Sequence, residues 1–150
     1  MKNLLLLFLL QSVFGFSQQF DKIEFEHGNP IIIGSYIKIK LQPIKQNKKE
    51  KVRVTFESKD NFYTKRISKE KYYEICTAIS KIKNDTIAIN NNLIDGSDTK
   101  IIALKNSKKT YYATGLCGED EFDEKRKDFW YATKLILEAA KLKMKNLIDY

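Results

Sequence analysis

Apolar and polar positions change period along this chain, and the changes mark its elements. From residue 20 the period is two: Ile23, Phe25 and His27 alternate with Lys22, Glu24 and Glu26. Side chains two apart share one face of a strand, so this stretch predicts a half-buried strand. His27-Gly28-Asn29-Pro30 is turn chemistry. A second strand carries Ile37, Ile39 and Leu41 against Tyr36, Lys38 and Lys40, and Pro43 is expected to end it. Lys45 to Lys51 reads as a loop. Val52, Val54 and Phe56 begin a hairpin that turns at Ser58-Lys59-Asp60-Asn61 and returns over Phe62 to Ile67.

At Ser68, a good N-cap, the period changes to that of a helix. Tyr72, Ile75, Cys76, Ile79 and Ile82 then form one stripe, with Glu74, Thr77 and Lys81 opposite. Strand texture returns at Ile87 and Ile89, followed by a long turn through Asp98. A second hairpin is predicted over Lys100 to Lys105 and Thr110 to Gly115. The last segment, Glu124 to Ile148, reads as one long helix. At 100° per residue, Phe129, Thr133, Ile136, Leu137, Ala140, Met144, Leu147 and Ile148 share one side. Tyr131, Leu135, Ala139 and Leu142 form a second apolar strip. An ordinary surface helix has one apolar face, so this helix touches two things: a sheet and a neighbouring helix, or a sheet and a partner. Acids at 119–124 and lysines near its end match the helix dipole.

Two hairpin–helix units of related texture thus follow two leading strands. The expected fold is α+β: an antiparallel sheet of about five to seven strands with two helices packed on one face.

Met1 to Ser17 has a different character. Lys2 precedes an apolar run, Leu4 to Leu10, and Gly15 and Ser17 are small residues placed for a cut before Gln18. This predicts a secretory signal peptide, then one domain over residues 18–150 in the periplasm or outside the cell. No Cys stands near the cut, which argues against lipid attachment. No later run approaches the ~20 apolar residues of a membrane span, so no transmembrane anchor is expected in the mature chain.

Charge narrows the partners. The net charge is +8, and loss of Lys2 leaves +7. Of 27 basic residues only Arg53, Arg66 and Arg126 are arginine, the side chain that dominates bidentate nucleic-acid contacts. Nucleic acid is therefore not the expected partner; an unknown protein or an anionic envelope polymer is.

Candidate chemistry is sparse. Cys76 and Cys117 are the only cysteines; in an exported chain they are a candidate disulfide, the alternative being two separate thiols. His27 is the only histidine. A Cys117–His27 dyad lacks any supporting motif, and no phosphate loop, dinucleotide glycine pattern or complete calcium loop occurs, so no catalytic residue, cofactor or metal is assigned. Tyr and Trp cluster in the hairpin–helix units, and such residues bring contact area at low entropy cost. Tyr63 and Tyr112, with Leu135 and Leu142 on the second strip, are the candidate partner surface; the leucines also make a weak homodimer an alternative to a monomer. The sequence reading is a small exported non-catalytic binding protein, with a small envelope hydrolase using carboxylates or Cys117 as the alternative.

Overall fold

A computed structural model describes residues 19–28, 36–44, 51–83, 98–116 and 118–147. The strands are β1 (Lys22–Gly28), β2 (Tyr36–Ile44), β3 (Lys51–Ser58), β4 (Phe62–Ser68), β5 (Asp98–Lys105) and β6 (Lys108–Thr114). The helices are α1 (Lys69–Lys81) and α2 (Lys127–Ala139), with short 3₁₀ turns at Gly118–Glu121 and Met144–Asn146. Among the described residues the six strands form one antiparallel sheet in the order β4-β3-β2-β1-β5-β6. Each hairpin that leads into a helix therefore lies at one end of the sheet, with β1 and β2 between them. The predicted α+β architecture is the one observed. The expected strand at Ile87 and Ile89 lies outside the described residues.

Alternation decides which face is buried. Ile23, Phe25, Ile39, Leu41, Val52, Val54, Phe56, Ile101, Ala103 and Tyr112 point to one side and join α1 and α2 in one continuous core. Register brings them together: Phe25 pairs with Ile39 and Ile101, Ile39 with Phe56, and Leu41 with Val54. Each fully buried aliphatic or aromatic side chain here contributes about 1.5–3 kcal/mol of hydrophobic stabilisation before entropy is set against it.

α1 forms as its stripe predicts. The Ser68 hydroxyl accepts from the Lys71 amide at 3.3 Å, and Tyr72, Ile75, Cys76, Ile79 and Ile82 are all buried. The Tyr72 hydroxyl donates to the Phe20 carbonyl at 2.9 Å, fixing the chain ahead of β1.

Several element boundaries differ from expectation. Pro43 does not end β2, which continues to Ile44. The last β1–β2 pair is Ile23 with Leu41, so at Pro43 only β3 lies alongside, and a strand bordered on one side tolerates a residue without an amide donor.

The long terminal helix is the larger correction. α2 begins at Lys127, three residues after the expected start, because Asp123 builds its own turn: its carboxylate accepts from the Lys125 amide and its carbonyl from Arg126 and Lys127. α2 stops at Ala139. Lys141 takes the left-handed conformation at φ 61°, its amide donates to Glu138, and the Leu142 amide reaches back to Leu137. Those paired bonds are a Schellman termination with lysine where glycine is usual. The expected lysines thus fall beyond the helix, and its last turn holds no basic residue.

The breadth of apolar surface on α2 has an internal explanation. α2 packs against α1 as well as over the sheet, and Phe129, Trp130, Ala132, Leu135, Ile136, Leu137 and Ala139 are all buried. The Lys71 ammonium links the helices through Glu74 at 2.9 Å on its own helix and Glu138 at 3.6 Å on the other.

Candidate functional site

Strand alternation puts a second set of side chains on the face opposite the helices, and no described element lies over it. Pairing arranges that set in rows across the strands. One row runs Phe62, Glu57, Lys38, Glu26, Lys100 and Ala113 from β4 to β6. The next runs Thr64, Thr55, Lys40, Glu24, Ile102 and Tyr111. Opposite charges alternate at the centre, where cross-strand pairs are mutually favourable.

Contacts in this mosaic are local. Glu24 pairs with Lys22 and lies 3.9 Å from Lys40. The bond from Lys22 holds the Glu24 carboxyl below its usual range, against the upward push of partial burial. Asp98 pairs with Lys100 and holds its ammonium pKa up. The Tyr36 hydroxyl donates to Glu57 at 3.4 Å, and the Lys38 ammonium stands 5.7 Å from the Tyr36 ring centroid. Glu24, Glu26, Lys38, Lys40, Thr55 and Glu57 surround a shallow depression of about 250 Å³. Phe62, 70% exposed, and Tyr111, 61% exposed, stand at the two outer strands.

The residues expected to form a partner surface lie elsewhere. Tyr63 is on the helix side: it stacks on Phe56 with centroids 4.8 Å apart, and its hydroxyl donates to the Ala140 carbonyl at the end of α2. Burial raises its pKa. Tyr112 is buried beneath the helices. Leu135 is also buried within the chain, so it offers nothing to a homodimer. Leu142, half-buried, borders a second depression of about 540 Å³ with Trp130, Lys134, Glu138, Lys141 and Met144. Its floor is closed, because Trp130 and Met144 are themselves buried and the Lys134 ammonium sits 5.4 Å over the indole. The exposed tyrosines in the hairpin–helix units are Tyr111 and Tyr131 instead.

Strand counting could have found this. The turn Asn106-Ser107 has both residues at positive φ, 49° and 65°, the conformation of a two-residue hairpin. That turn pairs Lys105 with Lys108, hence Ile101 with Tyr112, and leaves Tyr111 outward. The predicted four-residue turn, Asn106 to Lys109, shifts this pairing by two residues, which leaves Tyr111 and Tyr112 on the same faces.

Neither Cys76 nor His27 is poised for catalysis. Cys76 is a free thiol, fully buried on α1, and burial pushes its pKa up to about 11. Cys117, its expected bridge partner and the candidate nucleophile, lies outside the described residues. His27 Nδ1 is hydrogen-bonded to Thr99 Oγ1 at 2.8 Å on the buried face. Burial lowers its pKa, with nearby Asp98 opposing. Among the described residues no cluster of His, Cys, Asp and Glu could hold a metal ion, and no helix is long and apolar enough to cross a membrane. The chain matches no protein-family model and no curated protein.

Proposed function

We propose that this protein is an exported, non-catalytic binding module that holds another protein or an envelope polymer on its open sheet face. The supporting observation is the asymmetry of the sheet. One face buries a core under two helices; the other carries charged side chains in register, bordered by Phe62 and Tyr111, with no described element over it. A flat surface of alternating charge with aromatic residues at its margins suits recognition of an extended partner. Export rests on the apolar run of Met1 to Ser17.

Glu24, at the centre of this face, does not favour the hydrolase alternative. A glycosidase-type pair needs one carboxyl held protonated near neutral pH, and Lys22 pushes Glu24 the other way.

Co-sedimentation with an isolated envelope fraction tests the proposal. A Lys38→Glu/Lys40→Glu variant is expected to lose at least about tenfold in affinity, as reversed charge at an interface costs several kcal/mol. Lys81→Glu, on the outer side of α1, should bind like the parent. Loss in the α1 variant with full retention in the sheet variant would move the site to the helices and overturn the proposal.

A further inference from the structure

One end of the open face breaks the alternation of charge. Beyond the row of Thr64, Thr55, Lys40 and Glu24, the next outward positions are Arg66 on β4, Arg53 on β3, Gln42 on β2, Lys22 on β1 and Lys109 on β6, with Leu104 on β5 between the last two. Lys51 follows Arg53 at the next outward position of β3. No acidic side chain occupies this band among the described outward positions. Lys22 is engaged by Glu24, but Arg53, Arg66 and Lys51 have no ion pair among the described residues.

Arg53 and Arg66 are directly opposite one another. Such a pair has Cβ atoms only ~4.5–5.5 Å apart, and like charges there oppose folding. Two of the three arginines in a lysine-rich chain are thus placed where they repel each other on an exposed sheet. An anion between them removes that repulsion, and two guanidinium forks match the planar oxygens of a carboxylate or the oxygens of a sulfate.

We propose that this band binds a linear anionic polysaccharide laid across the strands, with successive acidic groups meeting Arg66, Arg53, Lys22 and Lys109. This rests on the reading of the open face as the binding surface and names the chemistry of its partner. At ~4.8 Å between strands the six-stranded band is about 24 Å long, which suits an extended polymer rather than a single small anion. Gln42, Thr55 and Thr64 stand beside the cations and can hydrogen-bond sugar hydroxyls. The surroundings favour this over the other polyanions. A bilayer-binding surface sets exposed apolar side chains beside its cations, whereas the apolar residue within the band, Leu104, is half-buried and exposed Phe62 lies at the opposite end of β4 from Arg66, beyond Thr64. Single-stranded nucleic acid needs a series of stacking rings along the groove, and here only Tyr111 borders the band, at its far end.

The test measures binding of the purified protein to polygalacturonate and dextran sulfate, with neutral dextran, phosphatidylglycerol vesicles and single-stranded DNA in parallel. The expected result is binding to one or both anionic polysaccharides that weakens with added salt and exceeds binding to vesicles and DNA. Arg53→Gln/Arg66→Gln should weaken it at least about tenfold, as lost charge-assisted contacts do. Lys134→Gln on α2 should leave it unchanged. A thermal melt at or above the parent's shows that the double variant is folded, and Arg53→Gln alone, expected to bind at an intermediate level, supplies a second reading. Equal binding by the double variant and the parent, no binding to either polysaccharide, or tighter binding to vesicles or DNA overturns the inference. If the polysaccharides fail while the envelope fraction still binds and still depends on Lys38 and Lys40, only the inference fails. If both fail, the open-face reading fails with it.

Discussion

His27 shows how one buried side chain ties stability to pH. Its folded pKa lies below the ordinary 6.5, chiefly through burial, so the unfolded chain takes up the proton first as pH falls. The stabilising contribution is complete above about pH 6.5 and is lost progressively as pH drops through the folded value. Urea midpoints should therefore fall between about pH 7 and about pH 5. His27→Gln, which keeps a side chain able to bond Thr99, should flatten that part of the profile; an unchanged slope would show that His27 is not its source. Cys76 gives a second check at the same scale. With its pKa near 11 and no exposure, a thiol-specific reagent applied to a Cys117→Ser variant should label it only after denaturation. Fast labelling of the native protein would contradict its burial.

At the scale of elements, the two helices show what is legible in the chain and what is not. The start of α1 follows from local chemistry: Ser68 caps it, and a single stripe faces the core. The end of α2 does not, because periodicity continues through Met144 and Leu147 while the backbone turns at Lys141. Nothing in a lysine announces a left-handed residue; glycine would have. Tertiary contact supplies the missing signal, since the Tyr63 hydroxyl satisfies the Ala140 carbonyl at that turn. Lys141→Gly should accordingly stabilise the fold by about 1 kcal/mol in urea unfolding, by removing the steric cost of positive φ. Destabilisation would mean that the lysine side chain is needed there. Tyr63 and Tyr112 face the core for a different reason. Composition marks tyrosines as contact residues, but strand parity decides their face: the 58–61 turn sets Tyr63 opposite buried Phe56, and Tyr112 pairs with buried Ile101.

At the scale of the whole molecule, the division of labour follows from the order β4-β3-β2-β1-β5-β6. Both helices return to the same side, so the buried core is concentrated there, and the described outward positions of the other face are mostly charged or polar. α+β class and helix coverage were legible because period two and period 3.6 alternate cleanly along the chain. The opposition of Arg53 and Arg66 follows from the 58–61 turn, which the sequence also predicts and which fixes the register of β3 against β4. Relief of that repulsion gives a stability prediction independent of any ligand. Arg66→Gln should raise the urea midpoint or leave it unchanged, and a marked fall would assign Arg66 a structural role.

The abundance of lysine permits a direct measurement of the binding surface. Lysine acetylation read by mass spectrometry, on the free protein and on the protein bound to isolated envelope, samples both faces at once. Protection of Lys38, Lys40, Lys100 and Lys109, with Lys81, Lys134 and Lys141 labelled as in the free protein, is the predicted result. Protection confined to the helix-side lysines, with the sheet-face lysines unchanged, would contradict the assignment of the open face as the binding surface.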